Sequence, residues 1–164
     1  MAKRILIPIV PDVPADYTLA VISAARIARK TGGMIRLAYL RRLPPPRVDD
    51  HDRVVSDTDR EMERLAARAE EYLSAMAAEM DGVRVETVIR FGRPTTELLR
   101  EAEVFHPDLI ALAAASGSRL RGRLGAWQLR RAALASRVPV MLLPFPAEPS
   151  TARARDAVAL PALR

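Results

Sequence analysis

Short apolar runs alternate with longer amphipathic stretches along the chain. The apolar runs cover residues 5–10, 34–40, 83–91, 108–115 and 138–145, and each is rich in aliphatic or β-branched side chains. Such runs predict buried strands. In the stretches between them, apolar residues recur at steps of three and four, which predicts amphipathic helices. The alternation predicts a single doubly wound α/β domain, with a parallel sheet covered by helices on both faces.

Punctuating residues set the predicted ends of the helices. Gly32 and Gly33 are predicted to end the first helix. The third helix is predicted to begin at Pro94 and to end at the His-Pro pair at 106–107. The longest helix is predicted over about 58–80 and the fourth over about 126–136. Residues 41–55, with three consecutive prolines, are predicted to form a surface loop.

Pro8 lies inside the first predicted strand. Proline has no N–H to donate to a neighbouring strand. We therefore expect this strand to bulge, or to lose its pairing on one side, near its C-terminal end. In a doubly wound sheet that end matters, because ligands bind outside the carboxyl ends of the strands where the strand order reverses. The candidate segments are the turn after the first strand and the loop after the fourth.

Composition limits the class of protein. A chain of 164 residues fits one domain, here residues 1–146, followed by a proline-rich tail or arm over 147–164. The chain has no cysteine, which excludes disulfides, thiolate catalysis and cysteine-ligated metals and favours a reducing, cytoplasmic location. No apolar run reaches the roughly 18 to 20 residues that cross a bilayer, so neither a signal peptide nor a membrane anchor is expected.

The net charge of +6 raises the question of an anionic partner. All but two of the 26 basic residues are arginines, and they occur in every predicted helix. Only seven aromatic residues are present for base stacking, three Phe, three Tyr and one Trp. Solvated surface arginines are the favoured interpretation, and nucleic-acid binding is less favoured.

Residues 116–127, SGSRLRGRLGAW, combine three glycines with three arginines after the fourth strand. One interpretation is a basic, solvent-facing connection. A second is a displaced phosphate site, because glycines let backbone N–H groups approach an anion. A third is contact with a nucleic acid or an acidic partner, which Arg130 and Arg131 would extend. Trp127 is interpreted as a plug that fills a pocket beside this segment, or else as a contact with another chain.

Candidate catalytic residues are few. His51 lies in the proline-rich loop and His106 at a predicted helix end, where surface roles are favoured. The acidic cluster of Asp49, Asp50 and Asp52 lacks the spacing and glycine of an EF-hand. No G-x-S-x-G motif is present. The residues assign no reaction, and a protein without enzymatic activity is expected.

Three segments resemble the universal stress protein family. They are KRILIPIV near the N-terminus, FGRPTTELLREAEVFHPDLIALAA in the middle and ALASRVPVMLLP towards the end, and the match covers roughly residues 3–144. The resemblance implies a five-stranded parallel sheet in the order 3-2-1-4-5. It also implies a homodimer in which the last strands of two subunits pair, here through Val140, Met141, Leu142 and Leu143.

Many members of that family bind ATP through G-x2-G-x9-G-[ST] after the fourth strand. Here the three glycine positions fall on Ala113, Ser116 and Ala126, and the hydroxyl position falls on Trp127. The acid that the family carries at the end of the first strand falls on Val10. If a nucleotide site is retained, the candidate residues are Pro8, Val10, Asp12, Leu40, Ala113, Ser116, Gly117, Ser118, Arg119, Gly122, Gly125, Ala126 and Trp127.

Three hypotheses follow. The first is a stress-response binding or regulatory module, homodimeric and without the usual ATP binding, so that no cofactor is expected. The second is an adenine-nucleotide binder, with ATP as ligand, that uses the displaced glycines and arginines. The third is a basic protein that binds nucleic acid or a protein partner.

Overall fold

The computed structural model describes residues 2–11, 17–45, 58–113 and 120–143, and for residues 120–124 it describes only the backbone. Most of the predicted proline-rich loop, with His51 and the acidic cluster, lies outside these residues, as does the predicted tail over 147–164. In chain order the elements are β1 (Arg4–Ile9), α1 (Thr18–Thr31), β2 (Met34–Arg41), α2 (Thr58–Ala78), β3 (Arg84–Phe91), α3 (Pro94–Phe105), β4 (Leu109–Ala113), α4 (Leu120–Ala135) and β5 (Val140–Leu143).

The five strands form one parallel sheet in the order β3-β2-β1-β4-β5. The strand order reverses between β1 and β4, so the carboxyl ends of these two strands border the switch point of the sheet. The predicted fold class and the strand order implied by the resemblance are both confirmed.

Each face of the sheet carries its own apolar core. On one face, Ile5, Ile7 and Ile9 of β1 pack with alanines of α1 and with Leu73 of α2. On the other face, alternate strand residues such as Leu6 and Ile110 pack with residues of α3 and α4. Because successive side chains of a strand point to opposite faces, strands buried on both sides are apolar almost throughout. This burial explains the continuous apolar runs of the sequence.

Two helix ends follow the sequence signals. Gly32 caps α1 with a φ of 63°, and its N–H donates to the Ala28 carbonyl. His106 caps α3 with a φ of 50°, a left-handed conformation that is uncommon for residues other than glycine. The predictions that α1 ends at its glycines and α3 before Pro107 are confirmed.

The predicted start of the fourth helix is wrong. The helix was expected from about residue 126, but α4 begins at Leu120 and includes Gly122 and Gly125. A glycine costs a helix only about 1 kcal/mol relative to alanine, and tertiary packing offsets that cost. Here Leu129 and Ala133 of α4 are buried against the sheet. Gly122 and Gly125 therefore belong to the helix and not to the loop that precedes it.

A buried carboxylate joins α3 to the sheet. Glu101 of α3 is fully buried and accepts hydrogen bonds from Arg36 of β2 at 2.6 Å and from Arg90 of β3 at 2.9 and 3.1 Å. Arg36 also donates to Glu86 at 2.7 Å and lies 4.2 Å above the centre of the Phe105 ring. A buried charge is tolerated when its partners satisfy it in this way. The cluster fixes the position of α3 on β2 and β3.

No helix in the described part of the chain is both long and apolar enough to cross a membrane.

Candidate functional site

The candidate site is the crevice where β1 and β4 separate. β1 pairs with β2 along its whole length, from Arg4 to Ile9, whereas its pairing with β4 ends at Leu6. β4 continues beyond that point and pairs with β5 as far as Ala113. The two central strands therefore diverge towards their carboxyl ends, where doubly wound folds bind ligands.

Pro8 explains where the two strands part. The Lys3 carbonyl accepts a hydrogen bond from Met34 at β2, and the Arg4 carbonyl accepts one from Asp108 just before β4. Successive residues of a strand direct their backbone groups to opposite neighbours. By this alternation the nitrogen of Pro8 faces β4 and has no hydrogen to donate. The prediction that Pro8 costs the strand its pairing on one side is confirmed.

A tyrosine hydroxyl takes the place of the missing strand neighbour at the end of β1. The Val10 N–H donates to the Tyr17 hydroxyl at 2.9 Å, and this hydroxyl donates to the Val10 carbonyl at 3.2 Å. By the same alternation, both groups of Val10 are on the β4 side of the strand. Tyr17 immediately precedes α1 and is only 7% exposed. The Tyr17 side chain thus satisfies both backbone groups of Val10, which lies beyond the pairing with β4.

The environment keeps the Tyr17 phenol protonated. Burial raises the pKa of Tyr17 above its ordinary value of about 10, and the hydrogen bond from the Val10 backbone opposes this only in part. A protonated phenol both accepts and donates, as the paired contacts with Val10 require. The sequence analysis missed Tyr17. The available signal was a tyrosine at the start of a helix, seven residues after the end of an apolar strand.

The described candidate residues on the strands are apolar and buried. Val10, where the resemblance implies an acid, is buried on the α3 and α4 side of the sheet, and Leu40 of β2 belongs to the same apolar cluster. Ala113 ends β4 and is half-buried against the opposite core. Pro8 is buried within β1. These residues supply packing and no polar side chain for a nucleoside.

Two of the three glycines of the candidate phosphate loop lie in a helix. Gly122 belongs to the first turn of α4, where backbone N–H groups have no intrahelical acceptor. Gly125 lies deeper, where an α-helix engages each N–H with the carbonyl four residues earlier. Helical backbone at Gly125 cannot serve as a phosphate cradle. Ser116, Gly117, Ser118 and Arg119 lie outside the described residues, as does Asp12.

Trp127 lies on the outer side of α4. Its side chain is 54% exposed, and the guanidinium of Arg131 lies 5.5 Å above the centre of its ring. Ala126, one residue earlier, is half-buried against the sheet. An indole with half of its surface in solvent does not fill a buried pocket. The interpretation of Trp127 as a plug is therefore wrong.

The remaining described candidate residues lie at a helix end and in an edge strand. His106 caps α3. Within the described ranges no group of three or more His, Cys, Asp or Glu side chains could hold a metal ion. Val140, Met141, Leu142 and Leu143 form β5, which among the described strands pairs only with β4, so that its other side is an edge of the described sheet.

Comparisons with known proteins agree with this architecture. The universal stress protein family model matches residues 1–144. UspA from Lactobacillus plantarum is 18% identical at a TM-score of 0.64, with coverage of 87% of this chain and 97% of that one. A universal stress protein family member from Burkholderia pseudomallei is also 18% identical, at a TM-score of 0.61, with coverage of 85% and 96%.

A third solved structure contains a nucleotide. The universal stress protein from Archaeoglobus fulgidus in complex with dAMP is 18% identical at a TM-score of 0.55, with coverage of 87% of this chain and 98% of that one. No curated protein sequence matches the chain. At such low identity the solved structures support the fold alone, whereas the family model spans all of the described residues. The chain belongs to the universal stress protein family.

Proposed function

We propose that this protein is a stress-response binding or regulatory module that has lost the ATP binding usual in its family and catalyses no reaction. The observation that carries the proposal is the pair of hydrogen bonds between the Tyr17 hydroxyl and the Val10 backbone. They consume the backbone donor and acceptor that the end of β1 would otherwise offer at the switch point.

The side chains around the crevice support the same conclusion. An adenine nucleotide needs polar groups for its ribose and base and donors for its phosphates. Val10 and Leu40 are aliphatic and buried, and an indole replaces the small hydroxyl that the family places at position 127. The lack of cysteine supports a cytoplasmic location.

Calorimetric titration tests the proposal. The protein is titrated with ATP and magnesium and with dAMP, and the Archaeoglobus fulgidus relative is titrated with dAMP as the positive control. We expect no heat of binding for this protein at ligand concentrations that saturate the relative. Binding in the micromolar range by this protein refutes the loss of nucleotide binding.

The second candidate function is adenine-nucleotide binding through the residues after β4. The dAMP complex of the Archaeoglobus fulgidus relative favours it, as does the position of Gly122 in the first turn of α4, where backbone N–H groups are free to donate. On this hypothesis Gly122→Ala weakens nucleotide binding strongly, whereas Gly125→Ala, one turn deeper in the helix, does not. Equal binding by the two variants and the unmodified protein excludes Gly122 from the site.

We also propose a homodimer in which two copies pair through β5. The two edges of the sheet differ: β3 carries Arg84, Glu86 and Arg90, whereas β5 contains no charged residue and Leu142 is 44% exposed. Charged side chains protect an edge strand from pairing with another chain. The unprotected edge is therefore β5.

The backbone geometry of β5 supplies a precise test. The Pro139 carbonyl accepts from Ile110 of β4, so by alternation the backbone groups of Leu142 face the free edge. Leu142→Pro removes one N–H from that edge and leaves the pairing with β4 intact, while Leu142→Ala keeps the N–H. We expect sedimentation to show a dimer for the alanine variant and a monomer for the proline variant. A monomeric unmodified protein overturns the proposal.

A further inference from the structure

The outer side of α4 carries an exposed stripe formed by Trp127, Arg130, Arg131 and Leu134. Trp127 and Leu134 are 54% and 56% exposed, and their separation of seven residues puts them on the same side of the helix, two turns apart. The two arginines lie between them. Leu129 and Ala133 on the opposite side are buried against the sheet. The stripe is thus a free surface of a helix whose inner side is already packed.

The positive charge of the protein is concentrated around this helix. Residues 109–147 contain six arginines and no Asp, Glu, Lys or His. The chain has 26 basic and 20 acidic residues, so the rest of the chain has 20 of each. The whole net charge of +6 therefore comes from this one segment, although arginines occur in every helix.

Stability of the helix does not explain this distribution. Arg121 and Arg123 lie in or next to the first turn of α4, where the helix dipole disfavours positive charge, and that turn has no acidic residue. The last turn, where basic residues would be favourable, has none. The arginines are thus placed where the helix dipole makes them unfavourable and are missing where it would make them favourable. Helix stability does not explain this placement.

Internal ion pairs do not explain it either. Elsewhere arginines have acidic partners close by, as in Arg64 with Glu61 and Arg100 with Glu97, both at 2.9 Å. Among the described residues, no carboxylate lies within ion-pair distance of Arg130 or Arg131. Arg131 instead lies over the Trp127 ring, which holds its guanidinium in place and leaves N–H groups free to donate.

We propose that the α4 stripe is a docking surface for an acidic, partly apolar segment of another protein. Trp and Arg are the residues that contribute most often to the binding energy of protein interfaces, and carboxylates are the natural partners of unpaired guanidinium groups. Trp127 and Leu134 would contact apolar side chains of the same segment. A nucleic acid fits less well, because the stripe offers one aromatic ring for stacking and an apolar side chain beside it. The proposal does not depend on whether the crevice holds a nucleotide.

Fluorescence provides a direct test, because Trp127 is the only tryptophan of the chain. The full chain is titrated with a synthetic peptide of Glu and Leu that contains no aromatic residue, with poly-L-glutamate and with a short DNA duplex. We expect the Glu and Leu peptide to bind most tightly, to shift the Trp127 emission, and to lose affinity as salt rises.

Matched variants separate a local surface from overall charge. Arg130→Gln with Arg131→Gln should weaken peptide binding by about tenfold or more, because both guanidinium groups face the proposed partner. Arg64→Gln with Arg68→Gln removes the same charge from α2 and should leave the affinity unchanged. Trp127→Ala, followed by calorimetry, should also weaken binding of the peptide.

Four results overturn the proposal. They are the absence of peptide binding, equal weakening by the two double variants, tighter binding of the duplex than of the peptide, and dissociation of a dimer by the α4 double variant. The last result would mean that a second copy of the chain covers the stripe.

Discussion

Replacing Tyr17 by phenylalanine removes one oxygen atom from the end of β1. The ring can remain in its apolar surroundings, but the Val10 N–H and carbonyl both lose their partner. A buried polar group without a partner costs about 1 to 3 kcal/mol. The bond at 3.2 Å is the weaker of the two, so the sum should be about 2 to 4 kcal/mol, a large part of the roughly 5 to 15 kcal/mol that stabilises a domain.

Tyr39→Phe is the matched control. Tyr39 is buried in the same core, and its hydroxyl has no hydrogen bond to any described residue. Urea denaturation followed by circular dichroism measures the free energy of unfolding of both variants. We expect a large loss for Tyr17→Phe and a change of less than about 0.5 kcal/mol for Tyr39→Phe. Equal effects of the two substitutions would refute the role of the Tyr17 hydroxyl.

The pH dependence gives a second readout for Tyr17. Its pKa is raised in the folded protein, so an unfolded chain ionises this phenol first as the pH rises through about 10. The stability that Tyr17 contributes is complete below that pH and decreases above it, by about 1.4 kcal/mol for each pH unit until the folded phenol also ionises. The difference between the unmodified protein and Tyr17→Phe should therefore be smaller at pH 11 than at pH 9. A difference that is constant or grows contradicts the burial of the phenol.

Three further substitutions test the fold. Glu101→Gln removes the charge that Arg36 and Arg90 share, and should lower the free energy of unfolding by about 2 kcal/mol, less than the full cost of breaking a buried pair because both arginines reach solvent. Unchanged urea midpoints would show that the cluster adds no stability. Gly33→Ala should cost about 1 to 3 kcal/mol in the same assay, because its Cβ would lie 2.7 Å from the carbonyl oxygen of Lys3. Gly125→Ala should raise stability by about 1 kcal/mol, since alanine is the better helix former, and a loss of stability would contradict the helical conformation of Gly125.

The strands could be predicted because their chemistry is local. A strand buried on both faces must be apolar at nearly every position, and Ile5, Leu6 and Ile7 show this directly in the sequence. The effect of Pro8 on the strand could also be predicted, because the missing N–H is a property of the residue itself. To predict that β4 is the strand that loses its pairing, only the topology of the sheet was needed in addition.

The candidate site could be predicted only in part. Counting along the sequence placed Trp127 at a hydroxyl position of the family motif, but its interpretation as a plug failed, because exposure depends on how α4 rotates against the sheet. The glycines at 122 and 125 suggested a loop. They are helical instead, in a helix that Leu129 and Ala133 stabilise by packing against the sheet. Propensity is a weak signal that burial of an apolar helix face overrides.

The sequence by itself determined the fold class, the order of the elements and the position of the break in β1. These properties depend on the periodicity of apolar residues and on the geometry of proline. Only the tertiary structure decided that Tyr17 satisfies Val10, that Glu101 joins α3 to the sheet, and that Trp127 and Leu134 share an exposed stripe. Each of these facts joins residues through the packing of helices on a sheet, and the distances and orientations that such packing sets are absent from the order of residues along the chain.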